Sequence, residues 1–308
     1  MAGTGLLELP FSEVNVFSVN PTGGNPVAVV HNSVGLGGTT LAEFASWTNL
    51  SETTFLLPPS DPEADYRLRI FTPTDELPFA GHPTLGSAHA WLERGGIPHT
   101  PGRIIQECGA GLVEIHQDRG TGRLAFAAPP LVRSGPVAPS ELSPIIAALG
   151  IHASEVIEAA WVDNGPGWVG LLLSSPEVVL GLRPQFGDLR VNVGVIGIHP
   201  GGSSVGEGGA DAEVRAFCSA EGVTEDPVTG SLNASLAQWL AGRVLPDDYV
   251  VRQGTALGRT GRVYITTGPD GRHWVAGDTR TVVTGQVRLE IGLQERDPGA
   301  HARTPAPR

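Results

Sequence analysis

The sequence predicts an α+β fold made of two pseudo-symmetric lobes, each a barrel-like β-sheet wrapped around a central helix. Short alternating or β-branched segments, typical of strands, run through both halves of the chain. Two helical segments resemble each other: PFAGHPTLGSAHAWLE at 78–93 and DPVTGSLNASLAQWLA at 226–241 both place a small-residue turn before a run ending in Trp-Leu. We interpret them as an internal duplication of a strand–turn–helix unit. Both helix N-termini are then expected to face a cleft between the lobes.

The first half contains strand patterns separated by two helices. EVNVFSV alternates Val14 and Val16 with polar neighbours, and Leu41 and Phe44 lie at helical spacing after a threonine cap. We predict strands at 13–19, 25–30, 51–57 and 66–72, helices at 39–50 and 83–94, and a hairpin over 103–117 and 122–129.

The second half repeats this order after a proline-rich crossing at 129–139, which we interpret as the linker between domains. We predict strands at 155–162, 168–174, 191–198, 212–218, 248–254, 261–267 and 281–292, a glycine-rich loop at 199–211 and a helix near 231–242. The lobes therefore span 1–128 and 129–292, with a disordered tail at 293–308. We leave open whether the last strand crosses back to the first lobe.

Composition excludes several classes of function. The net charge is −12 without a basic cluster, which argues against nucleic-acid binding. All 20 basic residues are arginine, so a pyridoxal-phosphate lysine and a P-loop are excluded. We find no signal peptide and no membrane span, and two cysteines do not make a disulfide framework. A cytoplasmic protein is expected, and we expect it to be a homodimer.

The two turns are suited to binding a small carboxylate. A helix N-terminus carries unpaired N–H groups and a partial positive charge, and glycine at 81 and 230 lets a ligand approach the backbone. Either turn alone is more often a simple helix cap. The repetition, together with polar residues in the same place, favours a site that includes Gly81, Gly230 and Ser231.

Three side chains are candidates for chemistry near these turns: Glu52, His82 and Asp226. His82 precedes a proline in the first turn, and Asp226 lies in the second, where turn chemistry alone explains it. The strand pattern around Glu52 allows either a solvated edge or a carboxylate in a partly dry cleft, and taken alone slightly favours the edge. Burial in such a cleft raises a carboxyl pKa toward neutrality, which suits proton transfer.

These residues lie in segments that resemble the phenazine-biosynthesis PhzF-like isomerase family, which shares the diaminopimelate epimerase fold. The resemblance rests on the following segments, which keep the family order: VNVFSVNPTGGNPVAVV (14–30), NLSETTFLLPP (49–59), RIFTPTDELPFAGHPTLGSAHAWL (69–92), EDPVTGSLNASLAQWL (225–240) and RQGTALGRTGRVYI (252–265).

The resemblance implies an isomerase that needs no metal or cofactor and that serves specialised-metabolite biosynthesis of the phenazine or antibiotic type. It implies that Glu52 moves a proton along a small unsaturated carboxylic or amino acid. His82 and Asp226 would hold polar groups of the substrate and assist, while Gly81, Gly230 and Ser231 would bind the carboxylate, largely through N–H groups. Epimerases of this fold use one cysteine in each turn. Neither turn here contains cysteine, which disfavours a two-thiol racemase or epimerase.

Some alternatives stay open from the sequence. A non-catalytic small-anion binding protein would keep the two turns without needing Glu52. A metal hydrolase using His82, His89 and Asp226 is disfavoured, because the histidines are not at the i, i+4 spacing of a helical zinc site. Asn25 either shapes the pocket or caps a turn. Asn233 and Ser235 either line the cleft or occupy an exposed helix face, and we favour the exposed face.

Overall fold

The computed structural model describes residues 5–201 and 209–291. Within these ranges the strands are β1 (Leu6–Val16), β2 (Asn25–Val30), β3 (Thr53–Leu57), β4 (Tyr66–Phe71), β5 (Glu76–Leu77), β6 (Arg103–Cys108), β7 (Gly111–Gln117), β8 (Leu124–Ala127), β9 (Arg133–Pro136), β10 (Val156–Asp163), β11 (Trp168–Leu173), β12 (Asn192–Ile198), β13 (Ala212–Cys218), β14 (Val223–Asp226), β15 (Tyr249–Gln253), β16 (Gly261–Thr267), β17 (His273–Gly277) and β18 (Thr279–Glu290). The helices are α1 (Gly38–Thr48), α2 (Gly81–Glu93), α3 (Pro139–Leu149), α4 (Pro176–Gly181) and α5 (Gly230–Leu240). The predicted loop at 199–211 is described only at its ends, and the predicted tail at 293–308 lies outside the described residues.

The strands form one continuous hydrogen-bonded sheet. Their order is β18-β1-β2-β3-β4-β6-β7-β8-β17-β16-β15-β13-β12-β11-β10-β9, with β5 beside β4 and β14 beside β13. The contact between β8 and β17 joins the two halves of the sheet. The last strand, β18, returns to the first half and pairs antiparallel with β1 along its length.

The two halves share one topology. From β1 to β8 and again from β10 to β17, successive neighbours pair antiparallel, parallel, antiparallel, parallel, antiparallel and antiparallel. A surface helix, α1 or α4, follows the second strand of each repeat, and a central helix, α2 or α5, follows the short strand β5 or β14. The predicted α+β fold with two pseudo-symmetric lobes is therefore confirmed, and the duplication extends to the whole topology.

The two central helices are buried inside the curved sheet. Helix α2 contacts β1, β2, β8 and β18, and α5 contacts β10, β11, β16 and β17. A helix surrounded on all sides needs small and apolar residues rather than a polar face. Gly86 shows how tight the packing is, because a Cβ there would lie 2.3 Å from Cγ1 of Val27. Leu85 and Leu232 are fully buried in one apolar core that includes both helices.

Several local predictions differ from the structure. The predicted strand at 13–19 begins earlier, at Leu6, and ends at Val16, because Phe17 turns the chain in the left-handed region with φ 68°. Glu52 was predicted within a strand, but it precedes β3, whose first residue pairs with Ala28. The proline-rich crossing contains β9, which pairs with β10 at the edge of the sheet, where proline is tolerated.

Helices α3 and α4 were not predicted. Pro139 and Pro176 occupy their first positions, where proline lacks only an N–H that would be unpaired in any case. Strand β17 was also missed, although it joins the two halves of the sheet. Among the helices of the described residues, none has the length and apolar content that a bilayer crossing requires.

Candidate active site

The two central helices begin at the same place. Helix α2 starts at Gly81 and α5 starts at Gly230, and the residue before each is extended. A Cβ on Gly230 would lie 3.1 Å from the Cα of Gly81 and 3.2 Å from the backbone nitrogen of His82. Carbon atoms in contact normally stay about 3.5–4.0 Å apart. Glycine is therefore required here because the two backbones touch.

Neither central helix is capped by the side chain of the residue before it. Ala80 precedes α2 and Thr229 precedes α5, and neither side chain bonds to an N–H of the first turn. Each helix N-terminus carries about half a positive charge, concentrated on these N–H groups. Two such ends in contact form a site where an anionic group is electrostatically favoured.

Glu52 and His82 form a close pair beside this point. Oε2 of Glu52 lies 3.3 Å from Nε2 of His82, and the two side chains are only 14% and 5% exposed. The Glu52 backbone is held by the first lobe, because its carbonyl accepts a hydrogen bond from the N–H of Ala28. The structure thus places Glu52 in a largely dry position, and the solvated edge that the strand pattern slightly favoured is wrong.

The imidazole of His82 is uncharged at neutral pH. Burial lowers the pKa of His82 to about 3, although a hydrogen bond to the Pro26 carbonyl acts in the opposite direction. A neutral imidazole has one nitrogen that donates and one that accepts. The ring therefore does not form a permanent ion pair with Glu52 at neutral pH.

Asn25 connects the two lobes at the site. This residue opens β2 and is fully buried. Its side-chain N–H₂ donates to Oδ1 of Asp226 and to the Val228 carbonyl, both at 3.0 Å, and lies 3.5 Å from Nδ1 of His82. The structure therefore brings Glu52, His82, Asn25 and Asp226 together, although they come from four segments in two lobes.

A buried polar network fixes the second turn. Thr229 donates its hydroxyl hydrogen to Asp226, and Gln253 makes four hydrogen bonds around them. The sequence interpretation did not single out Gln253. Its position on β15 carried a signal, because Tyr249, Val251 and Gln253 alternate inward and a polar residue on a buried face needs partners.

The expectation that Asn233 and Ser235 occupy an exposed helix face is wrong. Asn233 is 1% exposed and Ser235 is fully buried. The side chain of Asn233 donates to the Thr229 carbonyl and to Oε1 of Gln253. Helix α5 has no exposed face at these positions because the sheet surrounds it.

Ser231 is oriented by the second lobe. Its hydroxyl oxygen accepts a hydrogen bond from Nε1 of Trp168 at 3.2 Å, and its carbonyl accepts one from the side chain of Asn164. Trp168 opens β11, just as Asn25 opens β2, so the two lobes use equivalent positions with different chemistry. The indole can only donate, which leaves the serine hydroxyl hydrogen free to point elsewhere.

Residues of the alternative hypotheses lie in other environments. Both ring nitrogens of His89 lie within hydrogen-bond distance of threonine hydroxyls, those of Thr279 and Thr281 on β18. Cys218 is buried at the end of β13. Two surface depressions of about 450 and 390 Å³ lie elsewhere and contain none of the site residues. At the site itself, Glu52 and His82 are largely shielded from solvent.

Comparison with known proteins identifies the family of this chain. The family described as Phenazine biosynthesis-like protein, PhzC-PhzF, matches residues 14–290. Antisense-enhancing sequence 1 of Schizosaccharomyces pombe is 36% identical over 301 residues, which cover 91% of this chain and 99% of that protein. Trans-2,3-dihydro-3-hydroxyanthranilate isomerase of Pseudomonas aeruginosa is 34% identical over 264 residues, which cover 82% of this chain and 87% of that protein.

Solved structures agree on the fold. A phenazine biosynthesis protein of the PhzF family from Bacillus anthracis superimposes with a TM-score of 0.75 at 22% identity, covering 91% of this chain and 99% of that one. A hydroxyproline epimerase from Agrobacterium vitis superimposes with a TM-score of 0.55 at 18% identity, covering 94% of each. The epimerase-like architecture expected from the sequence is therefore confirmed. With the family match over nearly the whole chain, this protein belongs to the PhzC-PhzF family of phenazine biosynthesis-like proteins.

Proposed function

We propose that this protein is an isomerase that moves a proton between two carbons of a small unsaturated carboxylic or amino acid, with Glu52 as the base. The observation that carries the proposal is the placement of Glu52. Its carboxylate is nearly dry and lies 3.3 Å from the uncharged imidazole of His82. His82 is in the first turn of α2, where the two central helices touch at Gly81 and Gly230. Relatives named isomerases support the reaction class.

The helix starts supply the substrate-binding half of the site. In our proposal the N–H groups of the first turns at Gly81 and Gly230, and the hydroxyl of Ser231, bind the substrate carboxylate. Trp168 supports this role because its N–H occupies the serine oxygen and leaves the hydroxyl hydrogen for a ligand. Binding the carboxylate at two positive helix ends also draws electrons away from the adjacent carbons and makes their hydrogens more acidic.

Glu52 then transfers the proton. Its carboxylate removes a hydrogen from a carbon next to the π-system, the electron pair shifts along the conjugated bonds, and the new carboxylic acid returns the proton to the far carbon. No oxidant or reductant is needed, and the net charge of the substrate does not change. His82 and Asp226 hold the polar groups of the substrate and assist the movement of the proton.

A one-base shift fits the site better than inversion by two bases. Inversion at one carbon requires a base on each face, and epimerases of this fold supply a cysteine from each turn. Here the turns read Ala80-Gly81-His82 and Thr229-Gly230-Ser231, and Cys218 lies buried in β13. A suprafacial shift requires only the carboxylate that the first lobe supplies.

Incubation in deuterated water tests the proposal. The first candidate is trans-2,3-dihydro-3-hydroxyanthranilate, because a relative that covers most of this chain is named as its isomerase. NMR should show enzyme-dependent deuterium incorporation at the carbon that gains the proton. Glu52→Gln should abolish this and leave affinity for a non-reacting carboxylate analogue within a few-fold. Glu43→Gln, the same change on an exposed face of α1, is the matched control and should be fully active.

The outcome separates the proposal from its main alternative. A binding protein would hold the analogue with similar affinity in wild type and Glu52→Gln, and would show no deuterium incorporation with any acid of this class. Turnover that survives Glu52→Gln would remove Glu52 from the role of base.

A further inference from the structure

The side chain of Gln253 uses all of its polar atoms on the second turn. Gln253 ends β15 and is fully buried. Its Oε1 accepts hydrogen bonds from the N–H of Thr229 at 3.1 Å and from the side chain of Asn233 at 2.8 Å. Its N–H₂ donates to the Thr229 hydroxyl at 2.9 Å and to the Asp226 carbonyl at 3.3 Å.

These contacts determine the direction of the hydrogen bonds. Because two donors face the oxygen of Gln253, its amide cannot flip without placing donor against donor. Its N–H₂ therefore faces the Thr229 oxygen. The threonine hydroxyl then has one hydrogen left to give, and it gives it to Oδ2 of Asp226. Oδ1 of Asp226 accepts from Asn25, so both carboxylate oxygens are held by donors.

We propose that Gln253 is a positioning residue, which orients the Thr229 hydroxyl toward Asp226 and thereby holds the Asp226 carboxyl group directed toward the substrate. The hydrogen bonds run from the Gln253 amide through the Thr229 hydroxyl to Asp226. In this proposal Gln253 acts on the substrate only through Asp226. The inference rests on the proposed function in one respect, namely that Asp226 contacts the substrate.

Gln253→Glu tests the direction of this chain because its effect depends on pH. When protonated, the introduced carboxyl group still has one donor and one acceptor, and it replaces the amide. When ionised, it can only accept, so the Thr229 hydroxyl is shared between two carboxylates and Asp226 loses part of its hydrogen bond. A residue that merely filled space would not produce this pH dependence.

Other charged groups lie near this network, and their effects on activity must be separated from the effect of the carboxyl group introduced by Gln253→Glu. His82 lies beyond Asn25, and Glu52 lies beyond His82. Glu225, next to Asp226 in sequence, is paired with Arg215, and Arg252, next to Gln253, is paired with Glu213. All of these are present in both wild type and variant, so the ratio of the two activities isolates the introduced carboxyl group.

We expect the turnover of Gln253→Glu, relative to wild type, to fall by about 10-fold or more as pH rises from about 5 to about 9. A fall of this size corresponds to the loss of one hydrogen bond to a charged group. The fall should appear in kcat more than in KM. Gln286→Glu, the same substitution on the exposed face of β18, should give a flat ratio. In the Thr229→Val background the pH dependence introduced by Gln253→Glu should disappear, because no hydroxyl remains to be reoriented.

A second readout needs no substrate. With ¹³C-labelled aspartate, the carboxyl resonance of Asp226 is identified by its absence in Asp226→Asn. In resting Gln253→Glu this resonance should shift with pH through the same midpoint as the activity ratio. If Gln253→Glu does not fold, Thr229→Val should perturb the resonance while Thr229→Ser, which keeps the hydroxyl, should not.

The outcomes distinguish this inference from the proposed function. An Asp226 resonance unaffected by both Gln253→Glu and Thr229→Val overturns the inference, whatever the activity. A resonance that responds while turnover does not, together with an active Asp226→Asn, leaves the hydrogen-bond chain in place and removes Asp226 from the proposed mechanism.

Discussion

Replacing Gly230 by alanine tests whether the contact between the two central helices is required. The new Cβ would lie 3.1 and 3.3 Å from two backbone atoms of Gly81 and 3.2 Å from the backbone nitrogen of His82. Ordinary carbon contacts are about 3.5–4.0 Å, so the helix starts must separate by a few tenths of an ångström. All three neighbours are main-chain atoms within the core, which cannot rotate away as a flexible side chain could.

The steric cost of Gly230→Ala is partly offset by the higher helix propensity of alanine. Overpacking of this kind costs about 1–3 kcal/mol. Alanine is favoured over glycine within a helix by at most about 1 kcal/mol, which offsets part of it. Gly181→Ala is the matched control, because Gly181 also lies in a helix and a Cβ there meets nothing within 4 Å. We expect Gly230→Ala to be less stable to urea than Gly181→Ala by about 1–3 kcal/mol.

The same shift should impair catalysis. Moving either helix start displaces the N–H groups that bind the substrate carboxylate in our proposal, and displacements of this size cost about 10-fold or more in turnover. Deuterium incorporation and urea unfolding are measured on the same preparations. A Gly230→Ala protein with the stability and turnover of Gly181→Ala would refute both the contact and the site built on it.

Three further variants probe the energetics. His82 has a folded-state pKa of about 3, below the ordinary 6.5, so the unfolded chain takes up the proton first and stability falls as pH drops below about 6.5. Between about pH 7 and 5 the free energy of unfolding of His82→Asn should therefore fall by about 2 kcal/mol less than that of wild type in urea titrations. An equal fall in both proteins would contradict this. Arg215→Met leaves Glu225 buried without its cation and should cost about 3–5 kcal/mol, while adding Glu225→Leu should recover part of the loss in the same assay. Trp168→Phe removes the N–H that holds Ser231 and should raise KM for the carboxylate substrate about 3- to 10-fold with little change in kcat; an unaltered KM would show that the serine needs no such partner.

Local patterns were enough to predict the two central helices. The turn residues and the Trp-Leu ends indicated helices near 83–94 and 231–242, and the structure begins them at Gly81 and Gly230. The signals are local: a glycine that admits close approach, then a run of small and apolar residues. The match between the two segments also indicated the duplicated architecture, because related sequences fold alike.

Features set by distant partners could not be predicted in this way. SETTF reads as a continuous strand, but β3 starts at Thr53 because that residue pairs with Ala28, which lies far away in sequence. Gln253 is part of the site only because the second turn folds over it. Asn233 looked like a residue on an exposed face, since nothing in its neighbourhood shows that a sheet surrounds the helix.

The pairing of β1 with β18 has a consequence for synthesis on the ribosome. Strand β1 can pair with β2 soon after both are synthesised. Its other edge, over Leu6–Val16, pairs with β18, which is translated nearly a whole chain later. Until then the nascent protein displays an open strand edge, which invites pairing with other chains. Contacts so far apart also form slowly. Ribosomes stalled before β18 should therefore carry products that aggregate or engage chaperones.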